Sequence, residues 1–256
     1  LTPDSFSDGG QFMSVTTALA QAEKLVFEGA EVLDIGAEST RPGAEPVLPN
    51  DEWHRLAPVL TVLKDRSRGW LVKPILSVDT RHYTVAEKAM DLEVDWINDV
   101  SGFVDNNMRE LVAKTSVKCV VMHNLGVPAD KSKVLSSHPN IAAQIVTWAE
   151  QRFDQLLLAG VDREQLIFDI GIGFGKTAQQ SAFLLKNIKQ FQNLACPLLV
   201  GHSRKSFLNL MTEKPYADRD FETAMLSSQL SLQGVDYLRV HNVKQNAQAL
   251  VAHTLG

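Results

Sequence analysis

Polar and charged side chains close almost every apolar run of this 256-residue chain. Carboxylate, amide and imidazole groups can hydrogen-bond a polar ligand, and guanidinium and ammonium groups can bind an anion. A single Asp after a strand more often caps the next helix, but seven runs that all end in polar groups favour a shared functional site. The groups are Asp34, Asp79, Asn98 with Asp99, His123, Asp169, Ser203 with Arg204 and Lys205, and Arg239 with His241.

The elements that position these groups alternate along the chain. Short apolar runs that predict strands buried on both faces occupy residues 32–36, 75–79, 96–100, 119–123, 166–169, 198–201 and 237–240. Helix-period segments lie between them, near residues 15–26, 51–63, 84–90, 108–114, 141–149, 178–191, 221–232 and 243–255. This alternation predicts an α/β fold with a parallel sheet.

The number of strands points to a barrel. Seven strands are one short of a closed (β/α)8 TIM barrel, whose strands all deliver their carboxyl ends to one mouth. The chain opens on Leu1 and enters the turn-rich segment 2–10 at once, which is typical of a loop that follows a strand. No linker or break in composition divides the chain. We therefore predict one domain over residues 1–256, with the first barrel strand lying before residue 1.

Composition limits the partners. The 25 basic and 30 acidic residues leave a net charge of −5, so we expect neither nucleic acid nor anionic lipid as a partner. The longest apolar stretch, 194–201, is far below the roughly 18 residues that a membrane helix needs. Cys119 and Cys196 lie far apart in apolar runs, which favours buried thiols. We expect a cytoplasmic protein.

The glycine-rich segment 169–177 ends in Gly-Lys-Thr, as a phosphate-binding P-loop does, but the spacing is wrong. A P-loop needs glycine where Ile170 stands, and a dinucleotide fingerprint needs glycine where Lys176 stands. These glycines more readily let the backbone approach a flat ligand. Zinc is also disfavoured, because no second His or Cys lies near His123, His202 or His241.

Seven ordered blocks closely resemble the bacterial dihydropteroate synthase family. They are TPDSFSDGG (2–10), DIGAESTRPG (34–43), SVDT (77–80), INDV (97–100), GFGK (173–176), SRKS (203–206) and RVH (239–241). The resemblance covers essentially the whole chain. It implies a (β/α)8 barrel that joins 4-aminobenzoate to 6-hydroxymethyl-7,8-dihydropterin diphosphate by an S_N1-like route. Pyrophosphate is released with Mg²⁺ present, in folate synthesis, and sulfonamides compete with aminobenzoate.

The resemblance also implies roles for individual residues. The pterin is bound by Asp79, Asn98, Met122, Asp169 and Lys205, and the diphosphate by Ser39, Thr40, Arg239 and His241. Aminobenzoate is bound by Arg41, Pro42, Phe174 and Ser206, and two loops carrying Asp8 and Arg41 close over the site. The residues implied as catalytic are Asp8, Arg41, Lys205, Arg239 and His241. Mg²⁺ is held mainly by the diphosphate and by an asparagine that precedes residue 1.

The resemblance leaves some alternatives open. It implies a homodimer, and it allows a fragment cut from a fusion with a pterin pyrophosphokinase domain. The family usually has proline at Ile170, a small or apolar residue at His202 and aspartate at Asn242. Two other functions stand beside the synthase: a related pterin-binding methyltransferase that serves a corrinoid partner, and a paralogue that binds pterin without turnover.

Overall fold

The computed structural model describes residues 1, 15–40, 43–130, 132–136 and 140–254. In this part of the chain, eight α-helices alternate with seven strands, which confirms the predicted α/β class. The helices are α1 Val15–Phe27, α2 Pro49–Arg66, α3 Tyr83–Asp91, α4 Asn106–Val112, α5 Ile141–Leu158, α6 Ala178–Lys186, α7 Asp220–Leu232 and α8 Val243–Thr254. The strands are β1 Val32–Gly36, β2 Ile75–Asp79, β3 Trp96–Asp99, β4 Lys118–Met122, β5 Leu166–Asp169, β6 Leu198–Val200 and β7 Tyr237–Leu238.

All seven strands are parallel and pair in chain order, from β1 to β7, in a curled TIM-barrel-like sheet. The register aligns the carboxyl ends of neighbouring strands: Gly36 lies opposite Asp79, and Met122 opposite Asp169. The polar residues that end the apolar runs therefore lie at one mouth of the sheet.

Two predicted elements differ from the observed ones. The helix predicted over 178–191 is split, because α6 ends at Lys186 and a 3-10 helix follows over Ile188–Leu194. Asn187 stands at this break, and its side chain donates to the carbonyl oxygen of Phe183 at 2.8 Å. Strand β7 is only two residues long, so Val240 lies beyond it. The hydrophobic periodicity of the sequence does not by itself mark the end of α6 or the end of β7.

Apolar residues pack on both faces of the sheet. On the inner face, Trp96, Val120, Ile167 and Leu199 form a small cluster, with the Tyr237 ring 4.9 Å from Trp96 between centroids. On the outer face, a larger core joins strands to helices, where the ring of Phe168 lies 6.0 Å from those of Phe153 and Phe191. The inner cluster forms the floor beneath the mouth.

None of the described helices is long and apolar enough to cross a membrane.

A cavity of about 470 Å³ lies between β1 and β7, the two edge strands of the described sheet. Its walls are largely apolar, with Leu25, Leu33, Leu63, Val235 and Leu250 among the lining residues. At its polar end it reaches Asp34, Asn98 and Arg239.

Glu52 makes the stability of the fold depend on pH. This α2 residue is fully buried, and its Oε2 lies 3.8 Å from Nε2 of His82. Burial raises the pKa of the Glu52 carboxyl to about 7, whereas an unfolded Glu titrates near about 4.3. Between these two values the folded protein binds more protons than the unfolded chain, so the free energy of unfolding falls as pH rises.

We therefore expect Glu52→Gln to be more stable than the wild type by about 1–3 kcal/mol at pH 8, and equally stable at pH 4. Urea unfolding from pH 4 to 8 measures this difference. Glu93→Gln is the control, because Glu93 pairs with Lys64 at the surface. Parallel stability curves for the Glu52 variant and the wild type would contradict the role of this carboxyl.

Candidate active site

Arg239 joins two carboxylates at the floor of the mouth. It follows β7, and its Nε lies 2.9 Å from Oδ2 of Asp34 in β1. Its Nη2 donates to Oδ2 of Asp79, the last residue of β2, at 2.9 Å. The guanidinium thus spans the two edges of the described sheet. Burial raises the pKa of the Asp79 carboxyl well above its usual range, although Arg239 opposes this shift.

Asn98 is oriented by the same cluster. Its Nδ2 donates to Oδ2 of Asp34 at 3.0 Å, and the Ser77 hydroxyl donates to the other oxygen of Asp34 at 2.7 Å. The remaining acceptor of Asn98, Oδ1, is buried and has no hydrogen-bond partner among the described residues. A buried acceptor without a partner is costly, so a ligand that donates to Oδ1 would gain free energy.

Asp169 and Lys205 form the opposite wall. Asp169 ends β5, and its Oδ1 accepts a hydrogen bond from the Gly171 amide at 2.8 Å. Burial raises the pKa of the Asp169 carboxyl. The Lys205 ammonium donates to the Ile172 carbonyl oxygen and lies 4.9 Å from the centroid of the Phe174 ring. Burial lowers the pKa of Lys205 to about 8, so the side chain is mostly protonated at neutral pH.

His241 is held on both sides. Its Nδ1 lies 2.8 Å from Oγ of Ser203, which also accepts from the His241 amide at 3.2 Å. Its Nε2 lies 3.0 Å from the hydroxyl of Tyr216. If the Ser203 hydroxyl donates to Nδ1, then Nε2 carries the proton. The ring therefore has a defined orientation close to Arg239 in the chain.

The other predicted site residues lie around this mouth. Met122 ends β4 and is buried beside Asp169 in the strand register. Ser39 and Thr40 follow β1, and the Thr40 carbonyl accepts from the Ala129 amide at 3.5 Å. Ser206 begins a 3-10 turn of five residues. Asp8, Arg41 and Pro42 lie outside the residues that the structure describes.

Comparison with known proteins identifies the family. The model of the pterin-binding enzyme family matches residues 1–241. A dihydropteroate synthase of Haemophilus influenzae is 36% identical over 252 residues, which cover 97% of this chain and 88% of the relative. The chain belongs to the dihydropteroate synthase family.

Solved structures of this family share the fold. A dihydropteroate synthase from Anaplasma phagocytophilum with bound 6-hydroxymethylpterin-monophosphate is 39% identical, with a TM-score of 0.89 over 95% of this chain and 96% of that one. The Yersinia pestis synthase in a sulfonamide drug complex is 31% identical, with a TM-score of 0.91 over 99% of this chain and 90% of that one. Chlamydia trachomatis has a folate synthesis bifunctional protein that is 39% identical over 98% of this chain. The chain spans 57% of that protein's length.

Three residues depart from the usual pattern of the dihydropteroate synthase family, and each is accommodated away from the Arg239 cluster. Ile170 is fully buried in the core. The His202 ring lies against α7, with Nε2 3.0 Å from the Ser227 hydroxyl and 3.1 Å from the Thr223 carbonyl. Asn242 donates from Nδ2 to Oδ2 of Asp220 at 2.9 Å. In the described part of the chain, none of these three side chains hydrogen-bonds Asp34, Asp79 or Arg239.

The synthase fold brings into the site several polar residues whose binding role the sequence does not indicate. Asp34 was recognised only as a polar strand end, yet it holds Arg239, Asn98 and Ser77. Ser203 and Tyr216 hold His241, and neither was predicted to do so. Among the described residues, no group of three or more His, Cys, Asp or Glu side chains is placed to hold a metal ion.

Gly171 is required by the close approach of two backbones at the mouth. Its φ is +67°, and an added Cβ would lie 1.9 Å from the carbonyl oxygen of His123. Gly173 in the same loop also has a left-handed φ of +83°, but its added Cβ would meet only Cδ of Lys205, at 3.5 Å. The two glycines therefore separate the cost of backbone conformation from the cost of a clash.

We expect Gly173→Ala to lower the free energy of unfolding by about 1–2 kcal/mol, which is the cost of a left-handed residue with a Cβ. Gly171→Ala should lower it by at least about 3 kcal/mol, because backbone atoms must also move. Urea unfolding of both variants measures the difference. Equal losses would show that the His123 backbone yields without cost.

Proposed function

We propose that this chain catalyses the dihydropteroate synthase reaction. The substrates are 6-hydroxymethyl-7,8-dihydropterin diphosphate and 4-aminobenzoate, and the products are 7,8-dihydropteroate and pyrophosphate. The observation that carries the proposal is the Asp34–Arg239–Asp79 bridge at the mouth of the sheet, with Asn98 beside it. These groups are complementary to a flat heterocycle that carries an anionic tail.

The pterin edge matches the polar groups of the mouth. Its amino group and ring N–H donate hydrogen bonds, for which Asp79 and the unpartnered Oδ1 of Asn98 are acceptors. Its carbonyl and ring nitrogens accept, and Lys205 is the nearby donor. Asp169 completes the donor and acceptor pattern on the opposite wall, and Met122 packs against the ring face.

Arg239 changes partners in this proposal. In the structure it neutralises Asp34 and Asp79, which allows two buried carboxylates to lie close together. An incoming pterin supplies N–H donors to Asp79, so the guanidinium is released to pair with the diphosphate. His241 stays held by Ser203 at Nδ1, and its Nε2 exchanges the Tyr216 hydroxyl for the same anion. Ser39 and Thr40 lie on the loop that follows β1.

The reaction then needs charge stabilisation and exclusion of water. The C–O bond between the exocyclic methylene and the diphosphate breaks, and its electron pair leaves with pyrophosphate. The remaining pterin cation is captured by the nitrogen lone pair of aminobenzoate, a C–N bond forms, and the nitrogen loses a proton to solvent. Positioning of the arylamine, rather than a strong base, controls this step.

Aminobenzoate is placed next to the pterin methylene. The Phe174 ring lies 4.9 Å from the Lys205 ammonium, and Ser206 follows Lys205 in the chain. The resemblance adds Arg41 and Pro42 as contacts. Asp8 and Arg41 belong to the proposal as the residues that close over the site, on segments outside the described residues. Sulfonamides would compete at this subsite.

Magnesium enters the proposal through its substrate. Because the described residues include no ready metal cluster, Mg²⁺ would be held mainly by the diphosphate oxygens, with Arg239 and His241 as neighbouring cationic and polar groups. When bound there, the ion neutralises the leaving diphosphate.

A homodimer, a cytoplasmic location and fusion to another folate enzyme are further proposals. The bifunctional relatives support the last of these.

A pyrophosphate-release assay tests the function. We expect release that requires both substrates and Mg²⁺, and competitive inhibition against aminobenzoate by a sulfonamide. Release without aminobenzoate at the full rate would indicate a hydrolase. Pterin binding without any release would instead support the noncatalytic paralogue.

A further inference from the structure

Lys176 has a buried ammonium group with three close acceptors. Its Nζ lies 2.8 Å from Nδ1 of His123, 2.9 Å from the carbonyl oxygen of Gly171 and 3.0 Å from that of Phe174. The carbonyl of His123 is more distant, at 3.5 Å. An ammonium group has three donors, so the three closer acceptors use all of them.

No carboxylate of the described chain lies within 4 Å of this ammonium. Burial lowers the pKa of Lys176 to about 7. A buried cation without an ion-pair partner is costly unless polar groups surround it, and here neutral acceptors do so. The His123 ring can accept at Nδ1 because burial and Lys176 hold its pKa far below the usual range.

Two of the three close acceptors of Lys176 belong to one turn. The Phe174 amide donates to the Gly171 carbonyl at 3.0 Å, so Lys176 binds the carbonyls at both ends of the same turn. His123, from the loop after β4, is fixed in turn by Trp148, whose ring lies 4.9 Å away edge to face. The ammonium thus ties the loop after β5 to the loop after β4.

This turn carries two groups that contact Lys205. The Ile172 carbonyl accepts from the Lys205 ammonium, and the Phe174 ring lies 4.9 Å from it. Lys176 binds the carbonyls of Gly171 and Phe174, so Ile172 lies between the two bound residues and Phe174 is one of them. A change at Lys176 would therefore reach Phe174 most directly, because Lys176 binds the carbonyl oxygen of that residue.

We propose that Lys176 is a positioning residue for aminobenzoate capture, acting through the 171–174 turn on Phe174 and Lys205. This rests on the proposed synthase function. Lys176 touches neither substrate in this proposal. It holds the turn so that the Phe174 ring is in place when the pterin cation forms, and the side chains at the strand ends, Asp79 and Asn98, bind pterin without it.

The test compares Lys176→Met with Lys118→Met. Lys118 is a matched control, because its Nζ also donates to a backbone carbonyl, that of Glu164 at 2.7 Å, but at the opposite end of β4. In Lys176→Met we expect the KM for aminobenzoate to rise at least tenfold and the KM for pterin diphosphate to change less than threefold. Hydrogen exchange of the Phe174 amide should accelerate at least tenfold. The control should change none of these.

Several results would overturn the proposal. Unchanged Phe174 exchange would show that Lys176 does not hold the turn, and equal losses for both substrates would show a general effect on the mouth. Lys176→Gln is a second variant that keeps a polar side chain, and failure of both variants to fold would assign Lys176 to stability alone. Wild-type protein without turnover would refute the synthase function, whereas Phe174 exchange still decides whether Lys176 holds the turn.

Discussion

Replacing Asp79 with alanine is expected to weaken binding of pterin diphosphate at least 100-fold. The substitution removes a buried acceptor for the pterin N–H groups. Loss of a charge-assisted hydrogen bond costs about 1.5–3 kcal/mol. A 100-fold loss of affinity corresponds to about 2.7 kcal/mol, which one or two such bonds supply. Isothermal titration calorimetry at pH 8 measures the affinity. We expect Asp79→Ala to fold, because burial already disfavours the charged form of the Asp79 carboxyl.

Asp95→Ala is the matched control for this prediction. Asp95 precedes β3 at the other end of the sheet, and its Oδ2 accepts from the Leu76 amide at 2.8 Å. It is therefore a structural carboxylate in the same sheet, and its loss should lower stability without changing pterin affinity. Unchanged affinity in Asp79→Ala would remove this residue from the pterin site.

Replacing Arg239 with methionine is expected to separate the two parts of the substrate. Binding of pterin diphosphate should weaken about 100-fold, because a guanidinium–phosphate pair is lost. Binding of the bare 6-hydroxymethylpterin should not weaken, because Arg239 must leave Asp79 when a pterin binds and its removal relieves that competition. Calorimetry with both ligands at pH 8 measures the two affinities.

Arg68→Met is the control for Arg239, since Arg68 forms an exposed pair with Glu93, with 3.4 Å between Nη2 and Oε2. It should leave both affinities unchanged. Equal losses for the two ligands in Arg239→Met would place Arg239 at the pterin ring rather than at the diphosphate.

Much of the fold follows from local patterns in the sequence. The apolar runs that are buried on both faces marked all seven strands to within a few residues, since such runs are typical of a parallel sheet. The break after α6 was missed, because the helical period continues through Asn187. Asp79, Asn98 and Asp169 were placed correctly at the mouth, since each ends or nearly ends a strand.

The pairs within the site were harder to predict. Arg239 meets Asp34 only because the sheet curls until β7 approaches β1, and neither local period nor spacing contains that contact. Lys176 was part of a failed P-loop pattern and of the GFGK block, and neither gave its side chain a role. Its partners are mostly backbone carbonyls, whose positions depend on the left-handed conformation of Gly171 rather than on side-chain chemistry.

Product analysis under single-turnover conditions tests the central claim most directly. Wild-type protein and Asp95→Ala, each in excess over pterin diphosphate with Mg²⁺ and 4-aminobenzoate, should form one 7,8-dihydropteroate and one pyrophosphate for each pterin diphosphate consumed. Under the same conditions Asp79→Ala and Arg239→Met should form dihydropteroate at least about 100-fold more slowly. No dihydropteroate from the wild type, or undiminished rates in both site variants, would contradict catalysis at the Asp34–Arg239–Asp79 bridge.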